Sequence, residues 1–248
     1  MRTKESYSNC NLVFQEPIKR IGIEVNQRCN LYCPYCWNAK WNGKEINYED
    51  ILNIMQKVYL STQYWKEKIV PVVNFYAAEP LLSPKIVFDL MDIIPFKYNI
   101  LTNGTLISGK NKEMLEAKKP HLIVSLDGVE PNHNKYRNNS FDLIITNILN
   151  YQYPRNISLG MTVNVSTLEY LYDSLLYMFY LPIGSFECHL NLHDNWTDES
   201  FYLYIDILKQ FIYDYKDKIC LPNCSLEHRF ANYFNAKNYI KDGGGPVH

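Results

Sequence analysis

The stretch CNLYCPYCW, residues 29–37, places Cys29, Cys33 and Cys36 within one short loop of a chain that holds seven cysteines. Thiols crowded in this way can pair as a disulfide, hold zinc, or ligate a metal cluster. A structural zinc site needs four protein ligands, and the next histidine along the chain is His121. A [4Fe–4S] cluster usually takes four thiolates. With three local cysteines, one iron keeps an open position that a small chelating molecule can fill. A partial zinc site is the plainer alternative.

The disulfide reading ranks last, because it needs an oxidising compartment. The amino terminus MRTKESYSNC is polar and lacks an apolar h-region, so no signal peptide is expected. The longest apolar stretch, YLYDSLLYMFYLPIG, carries Asp173 and Pro182 and is too short and interrupted to span a bilayer. The expectation is a cytoplasmic protein with reduced thiols and no membrane partner. The chain has 248 residues, 47% apolar and 21% charged, with a formal net charge of -1. That length can bury a sizeable core, and that charge argues against a broad nucleic-acid-binding surface.

The cysteine loop must be positioned by regular elements. Short β-branched runs read as strands at 20–26, 69–76, 97–102, 121–127, 157–165 and 185–192. Between them the pattern reads as helices at 46–60, 83–94, 110–117, 140–151, 167–180 and 197–218. Asn47, Ser83 and Thr167 are the expected helix caps. Six β-α units predict a parallel sheet. Six are too few for a closed eight-fold barrel, so the fold class is α/β, a partial (β/α)6 parallel barrel with its ligands at the carboxyl ends of the strands. Polar residues do follow the strands in order: the cysteine loop, then AAEP (77–80), TNG (102–104), SLDG (125–128), TVN (162–164) and LNLHD (190–194).

Taken together, these segments resemble the radical S-adenosylmethionine (radical SAM) superfamily over roughly residues 18 to 195. The resemblance implies that Cys29, Cys33 and Cys36 hold one [4Fe–4S] cluster whose open iron binds the amino and carboxylate groups of SAM. It implies reductive cleavage of SAM to methionine and a 5′-deoxyadenosyl radical that abstracts a hydrogen atom from a substrate. A flavodoxin- or ferredoxin-type protein would donate the electron. AAEP looks like the family's GGEP segment, with Ala77 and Ala78 in place of the glycines. There Ala78 and Glu79 would meet the SAM amino group. SLDG and the downstream HNKYR look like the peptide-maturase, SPASM-related branch. Ser125 would touch the ribose, with Asp127 as a further contact, and Arg137 would pair with the methionine carboxylate. Asn103, Thr162 and Asn164 are further SAM contacts, and the main chain of Tyr35 would meet the adenine.

Plainer readings stand beside these. Glu79-Pro80 is a common loop dipeptide, Arg137 a typical surface charge, and Asn103 a turn residue. His189 and Cys188 read as packed core residues. His193 and Asp194, beyond a strand end, are candidates for a substrate role. Residues 1–17 read as an extension, 18–218 as the barrel, and 219–248 as a short tail without a full auxiliary-cluster domain. Cys220, Cys224 and His228 in that tail leave a second metal site as an alternative. The leading function is a radical SAM enzyme acting on a peptide or small-molecule substrate, peptide modification favoured. The competing readings are a glycyl-radical activating enzyme and a catalytically degenerate metal- or SAM-binding protein.

Overall fold

The computed structural model describes residues 18–36, 43–63 and 69–217. The chain divides into two compact units, Met1–Ile207 and Leu208–His248. The first holds six strands: β1 (Arg20–Glu24), β2 (Val72–Tyr76), β3 (Lys97–Thr102), β4 (His121–Ser125), β5 (Ile157–Val163) and β6 (Ser185–Leu190). They form one sheet in the order β1-β2-β3-β4-β5-β6. Every pairing is parallel. The expected α/β architecture is therefore present, and each strand lies within its expected span.

The helices are α1 (Tyr48–Thr62), α2 (Pro84–Ile93), α3 (Gly109–Lys118), α4 (Glu130–Tyr136), α5 (Phe141–Leu149), α6 (Leu171–Tyr180) and α7 (Asp198–Tyr215), the last running from the first unit into the second. Alternate strand residues such as Val73, Phe75, Ile100, Leu122 and Val124 are fully buried. Phe75 on β2 and Tyr98 on β3 stack with ring centroids 5.6 Å apart. Burying each such side chain contributes about 1.5–3 kcal/mol. The residues between them are mostly half-buried and not exposed, and strands sheltered on both faces read as near-continuous apolar runs.

Asn47 caps α1 as expected, its side chain accepting from the Glu49 and Asp50 N–H groups. The other two caps differ. The Ser83 side chain makes no cap bond to α2; its hydroxyl instead donates to Glu45 and accepts from Asn26. Thr167 lies inside a 3-10 turn, Val165–Tyr170, that precedes α6, and Asn164 is the residue at its N-cap. Thr167 Oγ1 accepts the Asn164 N–H at 3.2 Å. The sequence pattern does not predict α4, because EPNHNKY carries no apolar periodicity.

His189 is a correction: its side chain is 62% exposed and lies 3.5 Å from Glu187. β6 pairs with β5 alone in the sheet, so alternation there does not imply burial. Cys188 is half-buried. The expected extension, residues 1–17, and the expected tail with Cys220, Cys224 and His228 lie outside the described residues. Among the described residues no helix is long and apolar enough to cross a membrane.

Candidate functional site

The cysteine loop follows β1 and is folded by local chemistry. Cys33-Pro34-Tyr35-Cys36 forms a turn closed by the Cys36 N–H to the Cys33 carbonyl at 3.0 Å, and proline pre-sets the backbone angle at its second position. Cys29, Cys33 and Cys36 are all free thiols. Cys29 Sγ accepts from the Leu31 N–H at 3.4 Å and from Asn103 Nδ2 at 3.7 Å. Burial raises the Cys29 thiol and pushes Cys33 up to about 11, partly opposed by Arg137. Among the described residues, no three His, Cys, Asp or Glu side chains converge closely enough to hold a single metal ion.

Two strand ends and the segment after α4 hold this loop. At the end of β3, Asn103 Nδ2 donates to Asn30 Oδ1 at 2.8 Å, and Asn30 Nδ2 donates to Thr105 Oγ1 at 2.8 Å. Just past α4, Asn138 Oδ1 accepts the Tyr32 N–H at 2.9 Å. At the end of β4, Asp127 accepts the Tyr35 hydroxyl. Gly104 and Gly128 make the two tight exits possible. They have φ of 82° and 84°, and a Cβ at Gly104 would lie 2.7 Å from Val124 while one at Gly128 would overlap Ser174.

Glu79, after β2, is fully buried. Its carboxyl turns inward rather than to solvent. Oε1 accepts from the Leu81 N–H at 3.0 Å and Thr102 Oγ1 at 2.8 Å, and Oε2 accepts from the Asn103 N–H at 2.7 Å. Burial pushes it up to about 7, against the pull of those three donors. A carboxylate has about four acceptor positions, so one remains. Its main chain also ties the first two loops together, through the Glu79 N–H to the Arg28 carbonyl at 2.9 Å and Asn26 Nδ2 to the Glu79 carbonyl at 3.0 Å. Ala77 and Ala78, with φ of 66° and 36°, hold left-handed conformations that glycine adopts freely. The loop keeps a glycine-type path without the glycines.

Arg137 is not a surface charge: its side chain is 9% exposed, and Nε lies 2.7 Å from Asp127 Oδ2. Asp127 Oδ1 accepts the Thr162 N–H at 2.9 Å. The guanidinium carbon sits 5.5 Å from the centre of the Tyr35 ring. Burial disfavours the charged guanidinium, but Asp127 outweighs it and raises Arg137 above its ordinary range. Behind this pair, His133 is fully buried. Its Nδ1 accepts the Asp127 N–H at 3.1 Å, so Nε2 carries the proton and faces Ser140 Oγ at 3.0 Å. Burial pushes His133 down to about 4.

A cavity of about 560 Å³ opens over the loop, lined by Pro34, Tyr35, Cys36, Tyr136, Asn164, Asn191, His193 and Asp194. Asn164 is 3% exposed. Its Oδ1 accepts from Asn191 Nδ2 at 2.8 Å, while its own Nδ2 is buried with no partner among the described residues. The structure thus gathers Tyr35, Cys36 and Asn164 on one cavity, with Asn103, Glu79 and Arg137 behind the same loop. Ser125, the last residue of β4, is half-buried. Sequence reasoning gives Asp127 too little weight and takes in His133, Tyr136 and Asn191 only within HNKYR and LNLHD, with no role of their own. An acidic residue at a strand end with an arginine ten positions on is the signal that points to the first.

A parallel six-stranded α/β sheet with a three-cysteine loop beyond its first strand is the layout of a partial barrel. Residues 23–174 match the Radical SAM superfamily, and the chain belongs to that family. The radical SAM cyclopropyl synthase TigE of Paramaledivibacter caminithermalis is 29% identical over 154 residues, which are 52% of this chain and 31% of TigE. A probable GTP 3′,8-cyclase of Methanocella arvoryzae is 30% identical over 116 residues, 46% of this chain and 36% of the cyclase. The chain therefore spans about a third of the length of these relatives. Native anSMEcpe, solved with bound AdoMet and the Cp18Cys peptide, superposes with a TM-score of 0.65 at 17% identity, over 81% of this chain and 61% of anSMEcpe. That likeness concerns the fold.

Proposed function

We propose that this protein is a radical SAM enzyme with one [4Fe–4S] cluster held by Cys29, Cys33 and Cys36. The observation that carries the reading is the buried, unpartnered Nδ2 of Asn164 on a cavity that also exposes Cys36 and Tyr35. A buried donor without an acceptor is costly, and a polar ligand in the cavity relieves it.

The residues fit the group. Cys29 already accepts two N–H donors, which partly offset the burial that raises its thiol. The three thiols do not converge on a single point; a cluster needs less convergence, because each thiolate goes to a different iron. When bound and reduced, the cluster supplies the electron that cleaves SAM to methionine and the 5′-deoxyadenosyl radical. The chain's own part is orientation and shielding. Arg137 gives its Nε–H to Asp127 and keeps its terminal nitrogens for the methionine carboxylate, a bidentate fit for a planar guanidinium. The Ala78 main chain receives the SAM amine, and Glu79, turned inward, braces that loop through the Asn103 N–H. Ser125, Asn103 and Asn164 address the ribose side, and the Tyr35 main chain meets the adenine.

A peptide substrate is favoured, supported by the SLDG and HNKYR segments and by the likeness to a peptide-bound neighbour. The similarity to a GTP cyclase favours a small-molecule substrate as the second reading. A flavodoxin- or ferredoxin-type donor and a cytoplasmic setting complete the proposal. The test is anaerobic reconstitution with iron and sulfide, then dithionite and SAM, with 5′-deoxyadenosine measured by mass spectrometry. Product from the wild type, absent in a Cys29/Cys33/Cys36→Ala triple variant, is the expected result. Iron-replete protein that yields no product with any added peptide or nucleotide would overturn it.

A further inference from the structure

Asp127 has no exposed surface, and both of its oxygens bond inside the protein. Oδ2 takes the Tyr35 hydroxyl and the Arg137 Nε–H, and Oδ1 takes the Thr162 N–H. Its main chain is held as firmly, by His133 Nδ1 at the N–H and by Asn132 Nδ2 at the carbonyl, 2.6 Å away. Asp127 is therefore a fixed point and not a ligand-facing group. Two parts of the site meet on it. One is the cysteine loop, through Tyr35, which lies 92 residues away in sequence. The other is the guanidinium of Arg137, whose plane is set once its Nε–H is fixed, because the five donors form a rigid fork. The Tyr35 ring also lies against that guanidinium. If Tyr35 leaves, the guanidinium loses a neighbour and Oδ2 loses a donor. If Arg137 turns, Tyr35 loses the charge that accompanies its acceptor.

We propose that Asp127 is a positioning residue that joins the cysteine loop to Arg137, so that docking of the loop and seating of a carboxylate-bearing ligand on Arg137 reinforce each other. The ligand half rests on the site reading above, with the methionine carboxylate of SAM as that ligand. Such a coupling is reciprocal by linkage: the factor by which loop docking strengthens the carboxylate contact is the factor by which the bound carboxylate strengthens loop docking. His133 and Ser140 hold the other side of the joint, since Ser140 Oγ donates to the Arg137 carbonyl at 2.6 Å.

Tyr35→Phe is the cleanest probe, because it keeps the ring under the guanidinium and removes only the hydroxyl. In metal-free protein, iodoacetamide labelling of Cys33 and Cys36, read against Cys188 by peptide mass spectrometry, is expected to accelerate roughly tenfold, the loss of one charge-assisted hydrogen bond. In reconstituted protein, the Kd for SAM is expected to rise by about the same factor, while that for decarboxylated SAM changes less than about twofold. Asp127→Asn should give both effects, and the double variant should add little to it. A merely structural role would weaken both SAM forms alike. Unchanged labelling in Tyr35→Phe overturns the joint, and so does faster labelling with undiminished SAM affinity or effects of the two substitutions that multiply. A wild type that binds neither SAM form sinks the site reading and the ligand half with it, while the labelling arm still reads the tie between Tyr35 and Asp127.

Discussion

Two fully buried carboxyl groups stand at the same end of the sheet and are satisfied in opposite ways. Asp127 has a cation, Arg137, with Nε 2.7 Å from its Oδ2. Glu79 has only neutral donors, two main-chain N–H groups and the Thr102 hydroxyl. Taking a charge out of water costs several kcal/mol. Three neutral hydrogen bonds offset this only in part, which is why Glu79 is pushed up to about 7. A paired carboxylate is a rigid joint, whereas an unpaired one is a proton-sensitive brace. The first holds a guanidinium in one orientation, and the second clamps two loops by way of the Asn103 and Leu81 main chains.

The comparison breaks most sharply at Arg137. Arg137→Met removes the cation and leaves Asp127 buried with neutral donors only, as Glu79 is. Unfolding by urea is expected to show a loss of about 3–5 kcal/mol, the cost of breaking one side of a buried pair. A loss below about 1 kcal/mol would mean that Tyr35 and Thr162 suffice, and that the two carboxyl groups do not differ in kind.

Acidity sharpens the contrast next. Glu79 rises from an ordinary 4.5 to about 7 in the folded chain. Its protonated form favours folding, so its contribution is complete below pH 4.5 and is lost as pH rises toward 7. The full amount is of order 3 kcal/mol. His133, beside Asp127 and Arg137, moves the other way, from 6.5 to about 4. Its neutral form favours folding, so its contribution is complete above pH 6.5 and is lost as pH falls toward 4. The two slopes oppose each other between 4.5 and 6.5 and are expected to leave the wild type nearly flat there. In Glu79→Gln, urea midpoints measured across this range should climb with pH, exposing the His133 slope. A profile that stays flat in that variant would remove the proton-sensitive brace from the account.

The same two regions differ in how far they are legible in the sequence. Strands that follow one another in a parallel sheet carry buried apolar runs, and their ends are marked by polar punctuation, so AAEP and SLDG stand out as site segments. Glu79 is legible as a candidate site residue, but its inward orientation is not, since that depends on where the β3 end delivers the Asn103 N–H. The Asp127 joint is less legible still. It brings together Tyr35, Arg137 and Thr162, which are 92, 10 and 35 residues away, and one partner contributes only main chain. α4, which delivers Arg137 at its C-terminal end, has no apolar stripe, because EPNHNKY buries polar residues such as Asn132 and His133. Periodicity sees apolar faces and misses a helix whose buried side is polar.

The smallest effect is expected at the loop that leads into Glu79. Ala77 and Ala78 hold φ of 66° and 36°, where an L-residue with a Cβ costs roughly 1–2 kcal/mol. Glycine removes that strain but loses about 0.5–1 kcal/mol of chain entropy on folding. The two terms nearly offset, so Ala77→Gly is expected to stabilise by about 0.5 kcal/mol, a rise of a few degrees or less in Tm by calorimetry. That substitution has no counterpart beside Asp127, because the SLDG exit already carries a glycine, Gly128, at φ of 84°. There the reverse change, Gly128→Ala, meets the Ser174 side chain and should lower Tm. If Ala77→Gly were instead destabilising by about 1 kcal/mol or more, the alanine methyl would be contributing packing that outweighs its strain, and the AAEP path would be a stabilised variant of the loop and not a strained one.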